Sequence, residues 1–477
     1  MLKRLPRVCF AGLFALSHCG DAGPTEAPPR GGPAPFGPEA TLTVLRDDNP
    51  AANIVEVSLE AAPGRWTLSP GRTVDALMYN GRVPGPLLEA RVGDTVVVHF
   101  HNALTVPTTV HWHGLRVPAS MDGGPHSQDP VPPGGRFTYR FVVNDAGTFW
   151  YHPHVNESRQ MEAGLYGAIV VRGAHEPAAD VETVMMLDDL TLDAQGNIAA
   201  PGDLVEQHGG REGPVAVVNG RSAPPMTIAP GQRQRWRIVN AGSARFYRLS
   251  LGGQTFWQVA SDAGAWATPR ALREVLLVPG DRVELLVDGP AAGASWGVEN
   301  LAYDRGHGAG LRSPMALTTL VSEGPAMTPR SPPAGGPPTR WLPVEGAHVE
   351  TVRFSERINR ETEAVEFMVN GRQYPDVPPL HGQVGRTERW TLVNESEMEH
   401  PFHLHGFFFQ VRSRNGVALA DPAWEDTIQL RGHETVEIAF QPDPRPGHWM
   451  YHCHILEHVE HGMMGTFIVP ETPSRDP

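Results

Sequence analysis

The stretch that organises this chain lies near its C-terminus, at His448–His458, and its sequence is HWMYHCHILEH. Its first half is aromatic and apolar, which predicts a β-strand. Because successive side chains of a strand point to opposite faces, His452 and His454 should face one way and Cys453 the other. The thiolate of Cys453 would form a ligand set that suits copper if three more side chains joined it. These are a later histidine, a later methionine and one further histidine from elsewhere in the chain. One strand would then connect two copper sites.

The later histidine is His458, and the later methionine has two candidates, Met463 and Met464. A weak axial thioether is typical of a mononuclear copper bound by two histidines and a cysteine. The spacing from Cys453 favours Met463, and Met464 remains the alternative.

A repeated unit divides the chain. The tripeptide Asn-Gly-Arg opens three similar stretches, at residues 80–82, 219–221 and 370–372. In each stretch a turn containing proline precedes a strand that is led by glycine and ends in asparagine. Three copies at this separation predict homologous domains rather than a solenoid, and alternating apolar strands between Gly/Pro turns predict antiparallel β-sandwiches. We therefore expect an all-β chain with domains at 40–173, 174–325 and 344–472 and a Pro-rich linker at 326–343.

The histidines are distributed unequally over these domains. Paired His-X-His motifs occur in the first and third domains and are absent from the second. On a strand, such a pair places two imidazoles on one face roughly 7 Å apart, which suits two neighbouring ions better than one. Four of these pairs would hold a cluster of three coppers between the two domains: His111, His113, His152, His154, His403, His405, His452 and His454.

With these four motifs in this order, the sequence resembles the three-domain multicopper oxidases, especially bacterial laccases, over about residues 40–470. The resemblance implies cupredoxin-like Greek-key β-sandwiches and four coppers per chain, one of type 1, one of type 2 and two of type 3. It implies a type 1 site formed by His400, Cys453, His458 and Met463. The type 2 copper would be held by His111 and His403. The type 3 pair would be held by His113, His152, His154, His405, His452 and His454.

The same resemblance implies oxidation of one-electron donors at type 1 and reduction of O₂ to water at the cluster. We expect a laccase-type oxidase that acts on phenols or aromatic amines at a solvent-facing edge of His458, with the low to medium potential that an axial methionine gives. One alternative is a metallo-oxidase that acts on Cu(I) or another low-valent metal in copper tolerance, although no methionine-rich insert is present. The other alternative is a non-catalytic copper-storage protein.

Proton supply is expected to involve Asp122, which matches the acid that the family places near the type 2 copper. We therefore count Asp122, together with Cys453 and His458, among the catalytic residues. A turn-forming Asp-Gly sequence is the simpler explanation of Asp122. Many bacterial relatives carry a second acid directly after the last histidine ligand, where this chain has Val459 followed by Glu460.

A further His-X-His pair, His99 and His101, lies at the end of an ordinary repeat strand. The equivalent strands of the other two domains carry no histidine at these places. We interpret this pair as a solvated or edge face rather than a metal site.

The N-terminal residues predict export. A basic start and a short apolar core make residues 1–19 a signal peptide. Two alternatives remain for its removal. The signal peptide is cleaved directly before Cys19, which then carries a lipid, or it is cleaved in the ordinary way without lipidation. Residues 20–39 are rich in Pro and Gly and form a tether. We expect a periplasmic or extracellular monomer whose one membrane attachment would be the lipid on Cys19.

Composition limits the partners. The formal net charge of the chain is -14, which disfavours binding to nucleic acid or anionic lipid. The expected partners are therefore O₂ and a small reducing substrate. Of three cysteines, Cys453 alone falls in the folded part, so an exported chain keeps one thiol without a disulfide partner. Copper ligation explains why it is kept.

Overall fold

The computed structural model describes residues 34–200, 202, 204–306, 310–361 and 364–471. The expected signal peptide and most of the tether lie outside the described residues. Six principal β-sheets make up the described part and pack as three sheet pairs, which confirms the all-β prediction. Among the helices of this part, none has the length and apolarity needed to span a membrane.

The first sheet pair carries two of the four histidine pairs. One sheet has the strand order Arg72–Tyr79, Ile54–Ser69, Thr95–Asn102, Arg136–Val142. The other has the order Gly85–Arg91, Gly167–Arg172, Gly147–His152, His111–His113. Apolar residues that alternate along these strands fill the space between the two sheets.

The second sheet pair has the larger sheets but no histidine pair. Its six-stranded sheet has the order Val215–Val218, Val181–Leu190, Arg233–Asn240, Arg282–Asp288, Phe256–Ser261, Gly264–Leu272. Its five-stranded sheet has the order Met226–Ile228, Met315–Ser322, Ser295–Asn300, Tyr247–Leu251, Glu274–Leu277. A small ribbon is formed by Tyr303–Asp304 and Leu311–Arg312.

The third sheet pair contains the organising strand, Gly447–Cys453. Its six-stranded sheet has the order Ala364–Val369, His348–Asn359, Glu388–Asn394, Thr435–Phe440, Gln410–Arg414, Val417–Ala418. Its five-stranded sheet has the order Leu380–His381, Met464–Val469, Gly447–Cys453, His400–Leu404, Thr427–Leu430.

Short helices occupy the junctions between these pairs. A 3-10 turn spans Ala119–Met121, and three α-helices follow: α1 at Glu157–Glu162, α2 at Leu204–Gly209 and α3 at Leu456–Glu460. Helix α1 belongs to the first sheet pair and contacts α3 of the third. This contact lies at the interface between the two histidine-bearing sheet pairs.

Candidate metal centre

Strand pairing sorts the ligands of the third sheet pair onto two faces. Phe402 lies opposite Cys453, and His403 lies opposite His452. Because directly paired residues share a face, Cys453 joins the apolar core that contains Phe402. His452 and His403 instead face the first sheet pair. In that pair, His111 lies opposite His152 by the same kind of pairing.

On the core side, Cys453 meets the two histidines that the sequence assigned to it. The Cys453 Sγ atom lies 3.6 Å from His400 Nδ1 and 3.5 Å from His458 Nδ1. The two nitrogen atoms are 3.2 Å apart. Metal bonds of roughly 2 Å place the ligand atoms of one ion about 3–4 Å from one another. The three side chains therefore form a ready triangle for one ion.

Burial gives these groups the protonation behaviour of metal ligands. It raises the pKa of the Cys453 thiol, lowers the pKa of His400 to about 4 and lowers the pKa of His458 well below its usual value. Neutral imidazoles are the form that binds metal. A buried thiol loses its proton readily when it meets a cation, as the thiolate is the metal-binding form. The donor set fits copper.

The two candidate axial methionines lie on different sides of the sheet. The Met463 carbonyl accepts a hydrogen bond from the Cys453 amide at 3.1 Å, and the Met463 side chain belongs to the core that contains Cys453. Met464 lies opposite His452 and belongs to a separate apolar cluster. Met463 therefore shares a side with the thiol, and its assignment as axial ligand stays a prediction.

The expectation that His458 presents its ring edge to solvent is wrong. The residue is 0% exposed, and its Nε2–H donates to the backbone oxygen of His208 at 3.0 Å. Phe367 stacks on the imidazole, with ring centroids 4.0 Å apart. The covering His208 lies in α2, which comes from the second sheet pair. Nothing in the motifs around His458 indicates this cover.

On the other face, the eight imidazoles of the four pairs come together at the interface. The ligand atoms within each of three groups lie within 4.8 Å of one another. The groups are His113, His152, His454; His154, His405, His452; and His111, His113, His403. The first two contain all six residues predicted for the type 3 pair. The third contains both residues predicted for type 2. Which group holds which copper remains a prediction.

The unused nitrogen atoms of these rings are evidence for metal. Within the described part of the chain, several are buried and make no hydrogen bond: Nε2 of His111, His152, His154 and His403, Nδ1 of His113, and both nitrogens of His454. Each buried polar atom that lacks a partner costs roughly 1–3 kcal/mol. A group of such atoms facing one place is explained by ions that they would bind.

Electrostatics keeps most of these rings neutral. Burial, followed by the neighbouring imidazoles, lowers the pKa of His113, His152, His405, His452 and His454 well below its usual value. His154 differs, because burial lowers its pKa but the Glu157 carboxylate, with a smaller contribution from Asp122, raises it, and the net pKa is above the usual value. Neutral rings can bind copper without first losing a proton.

Asp122 lies directly beside this cluster. Its Oδ2 accepts a hydrogen bond from His405 Nδ1 at 2.8 Å, and its backbone oxygen accepts one from His111 Nδ1 at 2.8 Å. It therefore holds one ligand from each of the two sheet pairs. Burial raises its pKa, but the two imidazoles and their hydrogen bonds lower it by more, so the net pKa is well below the usual value. Its catalytic role stays a prediction.

Two further carboxylates orient ligands and were missed by the sequence analysis. Glu157 Oε1 lies 2.6 Å from His154 Nδ1. Asp426 Oδ1 lies 3.2 Å from His113 Nε2, and the Asp426 backbone oxygen accepts from His403 Nδ1 at 3.0 Å. Such partners fix the tautomer and direction of a ligating imidazole. The spacing of Glu157 three residues after His154 is a signal that could have found it, whereas Asp426 has no local signal.

The second sheet pair supports the cluster although it supplies none of the predicted ligands. Arg282 Nη1 donates to Asp426 Oδ1 at 2.6 Å, so a guanidinium holds the carboxylate that orients His113. Gly280 has a φ of +92°, and a Cβ there would lie 3.0 Å from His454 and 3.1 Å from His113. Glycine is required at this position for both its backbone conformation and its close approach to the rings.

The remaining sequence candidates belong to none of these ligand groups. Val459 is buried in an apolar cluster. Glu460 is exposed and accepts hydrogen bonds from the amide and hydroxyl of Ser158, at 2.9 and 2.6 Å, which links α3 to α1. His99 and His101 lie 2.7 and 2.8 Å from the carboxylates of neighbouring glutamates.

Comparison with known proteins identifies what this arrangement is similar to. Three family models, each described as multicopper oxidase, match residues 60–176, 141–324 and 348–473. The multicopper oxidase MmcO of Mycobacterium tuberculosis is 30% identical, over 97% of this chain and 96% of that protein.

Solved structures agree with this similarity. A multicopper oxidase from Campylobacter jejuni, described as a metallo-oxidase, has a TM-score of 0.80 at 30% identity, over 92% of this chain and 98% of that one. A laccase-like enzyme from Ochrobactrum sp., described as active towards lignin model compounds, has a TM-score of 0.80 at 27% identity, over 90% and 99%.

The axial assignment gives a testable expectation. Replacing the thioether by Met463→Leu removes a weak donor to the oxidised ion, so the reduction potential at the Cys453 site should rise. Met464→Leu makes the same change on the other side of the sheet and should leave the potential close to that of the parent. A copper bound by two histidines and a cysteine gives a blue absorption band. Redox titration of this band measures both potentials, and the reverse pattern would transfer the axial role to Met464.

Proposed function

The chain belongs to the multicopper oxidase family, and from this premise we propose that it couples one-electron oxidation of small reducing substrates to four-electron reduction of O₂ to water. The observation that carries the proposal is the position of Cys453 between His452 and His454. The thiol belongs to one buried donor group, and His452 and His454 belong to two different groups of the histidine cluster.

In this proposal the type 1 ion is bound by the Cys453 group and the type 2 and type 3 ions by the histidine cluster. Copper, when bound, supplies the one-electron chemistry. No side chain of the cluster can store the four electrons that reduction of O₂ to water requires. The chain supplies the connection. Its backbone on either side of Cys453 joins the thiol covalently to His452 and His454. An electron that leaves the thiol would therefore reach the histidine cluster through covalent bonds rather than through solvent.

Water formation consumes protons, and Asp122 is a carboxyl group that lies beside the cluster and would take up protons and pass them on. It contacts His405 and His111 directly. The place where many relatives carry a second acid is Val459, whose side chain is buried among methionines. We therefore assign Asp122 a larger share of proton transfer than it would have beside a second acid.

Phenols and aromatic amines are the proposed electron donors. They dock on α2, whose His208 covers the His458 ring, rather than on the ring itself. His458 Nε2–H donates a hydrogen bond to the His208 carbonyl. This hydrogen bond connects α2 to the His458 ring, so an electron would pass from α2 to the ring through it. A donor that contacts α2 would thus reach the type 1 ion through one hydrogen bond.

One observation favours the metallo-oxidase as a second candidate. On the same cover, His208 Nε2 lies 3.4 Å from Glu356 Oε2. An imidazole and a carboxylate are ligands that a metal-ion donor can use. The structural relative from Campylobacter jejuni, which is described as a metallo-oxidase, is consistent with such a donor.

Oxygen uptake with a phenol, with Cu(I) and with neither separates the candidates. The laccase proposal predicts uptake with the phenol. Glu356→Gln should lower Cu(I)-dependent uptake if Cu(I) is a true donor and leave phenol oxidation nearly unchanged. Glu345→Gln, at an exposed acid, is the matched control. Copper-loaded protein that consumes no oxygen with either donor would contradict the proposal and favour a storage role.

A second experiment tests Asp122. Asp122→Asn keeps the shape of the side chain but cannot take up and pass on a proton, and loss of such a group typically costs about 10²–10⁴-fold in rate. Anaerobic bleaching of the blue band by substrate should stay close to the parent rate, whereas recovery of the band on adding O₂ should slow by about 100-fold or more.

Stopped-flow absorption follows both halves of that reaction. Asp129→Asn removes an exposed acid from the same loop and serves as the control. Recovery in Asp122→Asn at the parent rate would show that protons reach the cluster by another route.

A further inference from the structure

The face of Gly447–Cys453 opposite the thiol carries a row of donor side chains, and the outer two of them have no role in the proposed reaction. His448 is exposed, Met450 is 1% exposed and His452 belongs to the cluster. Residues two apart on a strand share a face at a spacing of roughly 7 Å. The row therefore leads from solvent to a predicted copper ligand in two steps.

A second histidine lies beside the outer end of this row. The rings of His126 and His448 have centroids 6.1 Å apart at an interplanar angle of 62°. His126 Nε2 lies 3.2 Å from the hydroxyl of Tyr374. Both imidazoles belong to exposed residues, so an ion in solvent can reach the pair.

Tyr374 connects this histidine pair to two buried thioethers. Met450 and Met464 form a buried cluster with Val459, and Tyr374 packs against it. Met464 lies opposite His452 on the neighbouring strand. Met450 therefore lies between His448 and His452 along the strand, and Met464 lies beside His452 on the neighbouring strand.

The loop that carries His126 also approaches the cluster. It begins at Asp122, which contacts two predicted ligands. A Cβ placed on Gly124 would lie 3.0 Å from Met450 Sδ and 3.2 Å from Asp122 Oδ2. The Met450 sulfur therefore lies against the segment that joins His126 to Asp122.

The chemistry of these donors selects the ion. Thioethers favour Cu(I) over the harder divalent ions, and imidazoles also bind copper. Methionine often fills irregular apolar space, and this accounts for Met450 and Met464 taken alone. It does not account for an exposed imidazole pair that shares Tyr374 with them.

We propose that His126 and His448 bind one Cu(I) at the surface, and that Met450 and Met464 are thioether stations through which copper enters the cluster. This port lies on the opposite face of the strand from Cys453 and is separate from the cover over His458. The binding site stands independently of the proposed oxidase reaction. The delivery role rests on that proposal, because it requires copper in the histidine cluster.

The binding site is tested on fully copper-loaded protein that has first been reduced under argon. Cu(I) is titrated in competition with a chromophoric Cu(I) chelator. The double variant His126→Ala/His448→Ala should bind one Cu(I) fewer per chain than the parent. His99→Ala/His101→Ala removes another surface histidine pair and should bind as many as the parent. Equal Cu(I) binding by the parent and the His126/His448 variant would overturn the site, whatever the oxidase activity.

The delivery role is tested on metal-free protein that is supplied with Cu(I). Total copper and the blue band that returns on oxidation are followed against loading time. In His126→Ala/His448→Ala the blue band should form at the parent rate while the remaining copper loads more slowly to the same final content. Met450→Leu should show the same delay. Loading of all copper at the parent rate in both variants would overturn the delivery role.

Discussion

Side-chain alternation along Gly447–Cys453 is the constraint on which both proposed copper sites depend. It places the Cys453 thiol in the apolar core of the third sheet pair, with His400 and His458. It places His452 at the interface with the first sheet pair. Because the side-chain period of a strand is two, a slip of one residue would exchange the two faces. The register with His400–Leu404 and Met464–Val469 fixes it.

Metal and fold are coupled at the interface. The histidine cluster is buried, its rings are mostly neutral, and several of its nitrogens lack protein partners in the described part of the chain. Ions that bind the folded state alone stabilise it by mass action. The carboxylates of Asp122, Glu157 and Asp426 contact one ring nitrogen of His405, His154 and His113, respectively. These contacts turn the other nitrogen of each ring toward the interior of the cluster. The second sheet pair adds Arg282, which anchors Asp426.

The sequence predicted the features that local periodicity controls. These include the all-β fold, the grouping of Cys453 with His458, and the convergence of four His-X-His pairs, whereas His400 was assigned to Cys453 only by the family resemblance. It failed where contacts join segments that are distant in the chain. The cover over His458 comes from His208, and the carboxylate beside His113 comes from Asp426. Neither contact leaves a pattern in the sequence around its partner, because packing of separate sheet pairs creates it.

Copper content measured together with the blue absorption, in the parent and in Cys453→Ser, tests the central claim most directly. Serine removes the thiolate from one donor group and leaves the neighbouring histidines in place. The account predicts four coppers and a blue band in the parent, and three coppers without the band in a folded variant. A parent with a single copper per chain, or a Cys453→Ser protein that keeps the blue band, would contradict it.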